Sequence, residues 1–249
     1  MGLFDRLFNK GSQGEPAKKQ VSPAVARLTR RLTNKYGQPQ DRQAAIRALA
    51  EIGTEEAVAA LLRRFTFRIE QTIGDEDEKR AVYDEIVRIG ETAVGPILSY
   101  LEKENAPFWA VKALREIVGD ERTVTELLRI IDGMEAIFEL DIQRKVELVS
   151  NLRQFSDPRV KEKLLSFLND ENEEFRVQAL QGLAEMGEED MASVLIDRML
   201  DENETQRVRT EILNLLIAKK WRIKHRKEQV RKVIPNAFWI DDVGVIHRR

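Results

Sequence analysis

The chain has no cysteine, which excludes disulfide bonds, thiolate metal sites and a cysteine nucleophile. Histidine is almost as scarce: His225 and His247 are each followed by arginine, so the paired His-Glu motifs of metal-dependent hydroxylases are excluded. Aromatic residues make up only 6% of the 249 residues, with 7 prolines and 13 glycines, whereas charged residues make up 34%. This composition favours exposed helices over a sheet-rich fold.

Long apolar runs and motifs of known catalytic chemistry are also missing. No run approaches the roughly 20 apolar residues of a membrane-spanning helix, and the start of the sequence lacks the basic stretch and apolar core of a secretory signal. The sequence contains no Ser-His-Asp set, P-loop or glycine-rich dinucleotide turn. It predicts a cytoplasmic protein, peripheral at a membrane at most, with no catalytic residue, metal site or cofactor.

One spacing of apolar residues returns six times along the chain. Counting back from six anchor positions, apolar or aromatic residues stand three, six and seven places earlier, which puts them on one face of a helix. The anchors are Ile52, Ile89, Ile117, Phe155, Met186 and Lys219. In the first five copies a break follows, at Gly53, Gly90, Gly119, Ser156 and Gly187, and then a second apolar stripe. Each unit is therefore predicted to be a helical hairpin in a repeat array.

This pattern predicts an all-α fold, a right-handed α-solenoid of about six hairpins over residues 41–235. The approximate repeat ranges are 41–77, 78–105, 106–140, 141–172, 173–204 and 205–235. Residues 22–37 are predicted to form an N-terminal capping helix, with the Ser22 side chain as its cap, Pro23 in its first turn and Tyr36 on its apolar stripe. Its basic outer side leaves phosphate binding as an alternative. Residues 236–249 are predicted to form a β-hairpin cap that turns at Asp242 to Gly244.

A basic residue stands ten places before the anchor in five of the six copies. These residues are Arg42, Lys79, Lys145, Arg176 and Arg209. Acidic residues lie just upstream of each, so the pattern predicts exposed ion pairs between successive turns, each stabilising by about 0.5 kcal/mol. A ligand-binding ladder is the alternative.

The first 21 residues divide into two parts. Residues 1–8 place four apolar side chains on one side of a short helix, and residues 9–21 form a flexible linker. The four side chains are Leu3, Phe4, Leu7 and Phe8. Two helical turns cannot hold themselves helical in water. The segment is therefore a candidate anchor for an anionic membrane surface or a partner's groove, or else a helix docked on the protein's own first repeat.

Positive charge is concentrated near both ends of the chain, although the net charge is −2. Towards the C-terminus a candidate basic patch is formed by Lys220, Arg222, Lys224, Arg226 and Lys227. The near-neutral total argues against binding of nucleic acid by the whole surface, but the basic ends leave phosphate or nucleic-acid binding as an alternative function.

The repeats resemble a known family in two stretches. The A-I-R-A-L-A-E-I-G run of Ala45 to Gly53 and the R-x-x-A-L-x-x-L-x-x-M-G run of Arg176 to Gly187 are similar to HEAT repeats, in particular to the short HEAT-like repeats of phycobilisome lyases. The chain also resembles small bacterial HEAT-repeat proteins. The resemblance implies a scaffold whose second helices line a concave face.

The resulting functional hypothesis is a monomeric, non-enzymatic scaffold or adaptor that holds a peptide or helix of another protein. The candidate partner-binding residues on the second helices are Arg63, Arg64, Lys103, Arg129, Lys161 and Arg198. The resemblance leaves a bilin-lyase-like activity as an alternative, with a chromophore along Phe108 and Trp109, although both side chains are expected to be packed core.

Overall fold

The structure, a computed structural model, describes residues 22–70, 72–187, 191–223 and 226–249. Its helices are α1 (Pro23–Leu32), α2 (Pro39–Ile52), α3 (Glu55–Leu62), α4 (Thr72–Ile89), α5 (Val94–Leu101), α6 (Phe108–Gly133), α7 (Glu139–Leu152), α8 (Pro158–Phe167), α9 (Glu173–Glu185), α10 (Met191–Leu200), α11 (Gln206–Lys219) and α12 (Lys227–Val233). Short 3-10 turns cover Arg63–Thr66 and Gly90–Ala93. The strands are β1 (Phe238–Ile240) and β2 (Ile246–Arg248).

The helices stack in two layers. In the layer of first helices, α2 packs on α4, α4 on α6, α6 on α7, α7 on α9, and α9 on α11. In the layer of second helices, α3 packs on α5, and α5 packs on α6. The predicted all-α solenoid is thus confirmed.

The repeated apolar stripe forms the core between the layers. The residues three places before each anchor all have no exposed surface, and they are Leu49, Ile86, Leu114, Leu152, Leu183 and Leu216. The predicted breaks end or interrupt the first helices. Gly53 ends α2 in the left-handed conformation with φ +60°, and Gly119, at φ +79°, divides α6 into two halves. Glycine is suited to both positions because it has no Cβ to clash there.

Two details of the capping helix differ from the prediction. Helix α1 ends at Leu32, before Gly37, and Tyr36 is 95% exposed, so it does not belong to the apolar stripe. The Ser22 side chain makes no capping hydrogen bond. Instead the Ser22 backbone N–H donates to Glu56 Oε1 at 2.6 Å, which joins the start of α1 to α3.

The C-terminal cap is an antiparallel hairpin, as predicted, in which Trp239 pairs with His247. The second helix of the last unit, α12, has only seven residues. It begins at Lys227, because the Ile223 N–H donates instead to Gly244 O at 2.7 Å and ties this segment to the hairpin turn. Trp221 and Phe238 are buried and close this end of the core.

The five basic residues that stand ten places before an anchor form a ladder along the repeats. They are not exposed, which corrects the prediction of exposed ion pairs. Arg42, Lys79 and Arg176 are each at least nine-tenths buried. Several ladder residues donate to carbonyl oxygens in the loop before their own helix: Arg42 Nη1 to Gly37 O at 2.7 Å, Arg176 Nη1 to Asp170 O at 2.7 Å and Arg209 Nη2 to Asp201 O at 2.7 Å. A partly buried carbonyl needs a donor, and Arg42, Arg176 and Arg209 supply one at their own junctions between repeats.

Two helical glycines are expected to respond oppositely to alanine. A Cβ at Gly182 in α9 would lie 2.7 Å from Leu164 Cδ1 and from Arg153 Cγ, and Leu164 is fully buried, so Gly182→Ala should lower the free energy of unfolding by about 1–2 kcal/mol. A Cβ at Gly95 in α5 would meet no atom within 4 Å, so Gly95→Ala should raise it by about 0.5–1 kcal/mol. Urea unfolding followed by circular dichroism measures both. Equal changes of the same sign would contradict the assigned packing.

Candidate interaction groove

A groove of about 930 Å³ runs between the second helices of the first two repeats, α3 and α5. It is about twice the volume of a second pocket, of about 460 Å³, near α6. We call it the α3–α5 groove. Its shape follows from side-chain size, because Ala59 on α3 and Gly95 and Ser99 on α5 face outward where larger residues would fill the space.

The floor of the groove is apolar and its walls carry charge. Leu62 and Tyr100 are buried beneath it, and Pro96 is half-buried. Arg63 and Lys103 lie exposed on its two walls, and neither makes an ion pair within the described residues. Three glutamates also line the groove, so its walls carry both charges. An apolar floor with charged walls is the composition expected of a site that takes one face of an amphipathic segment.

Tyr100 fixes the end of the groove nearest the third repeat. Its hydroxyl donates to Ala106 O at 3.1 Å, which ties α5 to the loop before α6. Burial, with a smaller effect from the nearby Glu104 carboxylate, raises the pKa of Tyr100 above its ordinary value. The phenol therefore stays protonated and keeps this hydrogen bond at neutral pH.

Arg64 does not lie on the binding surface, and its assignment as a partner-binding residue is wrong. It is fully buried, with Nη2 at 2.7 Å from Asp75 Oδ1 and Nε at 2.9 Å from Glu78 Oε2. Glu78 also accepts from Arg42 at 2.7 Å, so one carboxylate joins two guanidinium groups. The apolar spacing did not reveal this cluster because it places the boundary between the first two repeats after residue 77, whereas α4 begins at Thr72 and brings Asp75 inward.

The Asp75 carboxylate is held in its charged form. Burial is the largest single effect and raises its pKa, but hydrogen bonds from Lys79, Arg64 and the backbone of Ile69 together lower the pKa below its ordinary value. Lys79 Nζ lies 2.6 Å from Asp75 Oδ2.

Arg198 occupies the equivalent position in the fifth repeat. It pairs with Glu204, whose side chain has no exposed surface and also accepts from Arg176 Nη2 at 3.1 Å. The Arg-Glu-Arg arrangement thus occurs twice, with the same 22-residue separation between its arginines, Arg42 to Arg64 and Arg176 to Arg198. Because its guanidinium is committed to Glu204, Arg198 serves the packing of repeats.

The remaining candidate partner-binding residues lie further along the array. Arg129 is half-exposed and is shared between Glu102, at 3.2 Å, and Glu126, at 2.9 Å. Lys161 is half-buried on α8. Of the six candidates, the α3–α5 groove therefore brings together Arg63 and Lys103.

The predicted basic patch is partly neutralised. Lys220 and Arg222 are exposed, but Arg226 pairs with Asp197 and Lys227 donates to the backbone oxygen of Asp242. Lys224 lies outside the described residues, as do Leu3, Phe4, Leu7 and Phe8 of the predicted anchor.

The aromatic residues of the third repeat differ from the expectation of a packed core. Phe108 is 51% exposed, whereas Trp109 is half-buried and stacks on Phe65 with ring centroids 6.2 Å apart. Both line the pocket of about 460 Å³, together with Phe67 and Lys79. Phe108 is exposed because it is the first residue of α6, two positions before the stripe that begins at Ala110.

An exposed apolar segment that sequence analysis did not identify lies at the start of α7. Ile137 and Phe138 are 70% and 71% exposed, and Leu140 is 55% exposed. In the next turn of α7, Arg144 Nε donates to Asn105 Oδ1 at 3.2 Å, which places this part of α7 against the turn that carries Lys103. The signal in the sequence was an apolar run outside every repeat stripe.

Among the described ranges, no helix combines the length and the apolar character needed to cross a bilayer. The same ranges contain no group of three or more metal-ligating side chains placed to hold an ion.

Two repeat families match this chain. HEAT repeats match residues 139–216, and the PBS lyase HEAT-like repeat matches residues 41–65. No curated protein matches the chain significantly. Both matched segments fall within the stacked hairpins, and the second contains most of α2, all of α3 and Arg63 of the groove wall. The paired helices, their stacking and these matches together show that the chain is a HEAT-repeat protein.

Proposed function

We propose that this protein is a non-enzymatic scaffold or adaptor that binds a helical or extended segment of another protein in the α3–α5 groove. HEAT repeats form helical scaffolds often used for protein interaction. The observation that supports the proposal is the groove itself. It combines an apolar floor at Leu62 and Pro96 with two basic side chains, Arg63 and Lys103, that make no ion pair within the described part of the chain.

The apolar segment at Ile137 to Leu140 extends this surface. A ligand that leaves the groove past Lys103 reaches the first turns of α7, where exposed apolar side chains of this size commonly mark protein contact sites. The proposed ligand is therefore longer than the groove, with an apolar face on the floor and acidic groups opposite Arg63 and Lys103.

Filling the groove is expected to abolish binding. A photo-crosslinking amino acid at Ser99 should form adducts with a small set of proteins in cells, and Gly95→Trp should remove these adducts because the indole would occupy the open space above α5. Gly133→Trp is the matched control, since Gly133 also has nothing within 4 Å of an added Cβ but does not line the groove.

Adducts that persist at full yield in Gly95→Trp would contradict the proposal.

The lyase-like alternative is supported by the pocket at Phe108 and Trp109 and by the match to the PBS lyase HEAT-like repeat. A visible-band shift when a tetrapyrrole is added, lost in Trp109→Ala, would favour that alternative. We rank it second because this pocket has half the volume of the groove.

A further inference from the structure

The chain enters the folded array at the edge of the α3–α5 groove. Ser22, directly before α1, donates its backbone N–H to Glu56 Oε1 at 2.6 Å. Glu56 lies in the first turn of α3 and also lines the groove. Whatever precedes Ser22 in the chain is therefore tethered at the groove's own edge.

The tether is long enough to reach every part of the groove. Residues 9–21 separate Ser22 from the apolar segment at 1–8. At about 3.3–3.6 Å per residue these thirteen residues span up to about 43–47 Å, whereas the eight-residue helix α3 is only about 12 Å long at 1.5 Å per residue. Attachment at this distance gives an effective local concentration on the order of millimolar.

The segment's composition complements the groove. If it is helical, its four apolar side chains share one face, and Asp5 and Arg6 flank that face on opposite sides. The groove offers an apolar floor between walls of both charges, including Lys103 and Glu104. Two turns of helix are unstable alone in water, so an apolar surface within reach is what such a segment requires to become ordered.

We infer that residues 1–8 bind in the α3–α5 groove of the same molecule and compete there with the partner segment. The inference rests on the proposed function of the groove as a binding site. It assigns the groove two occupants: the N-terminal segment when no partner is present, and the partner when it displaces that segment. Release of residues 1–8 then reports that the groove has been filled.

The absence of cysteine makes a direct distance measurement straightforward. In the full chain, nitroxide labels at Asn9→Cys and Thr92→Cys are the only thiol-linked probes, and Thr92 is exposed next to α5 without lining the groove. Pulsed electron paramagnetic resonance should give one narrow distance distribution. Gly95→Trp should broaden this distribution, whereas Gly133→Trp should leave it narrow.

The outcomes separate this inference from the proposed function. A broad distribution in the parent chain overturns the inference, while loss of the Ser99 adducts in Gly95→Trp would still support the scaffold. A narrow distribution that Gly95→Trp broadens supports the inference even if no partner adduct forms. A narrow distribution lost on dilution with unlabelled chain indicates a second copy, and one that requires anionic phosphatidylserine vesicles indicates lipid; either result overturns binding within one molecule.

Discussion

Replacing Glu78 with glutamine is expected to lower the free energy of unfolding by about 3–5 kcal/mol. The Glu78 side chain is 8% exposed and lies between Arg42 and Arg64, whose side chains are 3% and 0% exposed. Glutamine keeps the shape but removes the charge that both guanidinium groups share. Arg42 then loses its carboxylate partner without regaining water, which is why breaking a buried ion pair is costly, whereas Arg64 keeps its second partner, Asp75.

Urea unfolding at neutral pH measures this change, and two variants provide comparisons. Glu204→Gln removes the equivalent carboxylate between Arg176 and Arg198 and should cost a similar amount. Glu102→Gln removes a carboxylate that is 43% exposed from its pair with Arg129 and should cost less than about 1 kcal/mol. If Glu78→Gln were no more destabilising than Glu102→Gln, the buried cluster would contribute nothing to the stacking of repeats.

Truncating Leu183 to alanine should cost about 2–5 kcal/mol of unfolding free energy. Leu183 has no exposed surface and belongs to the stripe that α9 turns towards the core. Losing its branched end removes apolar contacts and leaves a cavity that the helices on either side, α7 and α11, cannot fully close. Leu152→Ala in α7 removes the corresponding residue of the preceding repeat and should have an effect in the same range.

Leu140→Ala is the control for this pair, because Leu140 is 55% exposed on the first turn of α7. Its expected change lies within about 0.5 kcal/mol of zero. Thermal unfolding of all three variants provides the measurement. Near wild-type melting of Leu183→Ala would show that the stripe is not the core.

The apolar spacing predicted most of the fold because it is a local property. Leu114 and Leu183 are buried for the same reason: both stand three residues before an anchor on a helical face that needs a neighbour. The glycine breaks were also predictable, because glycine is the residue that most easily takes a positive φ at the end of a helix. Gly53 and Gly119 both have a positive φ. The C-terminal hairpin followed from its turn residues at Asp242 to Gly244.

The candidate site was predicted less completely. Arg63 and Arg64 are neighbours in sequence with the same chemistry, yet one lies on a groove wall and the other is fully buried between two carboxylates. Nothing in the neighbouring sequence indicates which of the two arginines is buried. The difference depends on α4, which begins at Thr72 and directs Asp75 and Glu78 towards Arg64.

Sequence alone determined the repeating unit, the order in which the units follow one another and the residues of the core. Each of these depends on the period of apolar residues along single helices. Tertiary structure decided which charges are buried and where the surface opens. The α3–α5 groove exists because Ala59, Gly95 and Ser99 come from two different repeats and face the same gap. Such a gap depends on the distance between two helices. That distance is determined jointly by side chains that lie far apart in the sequence.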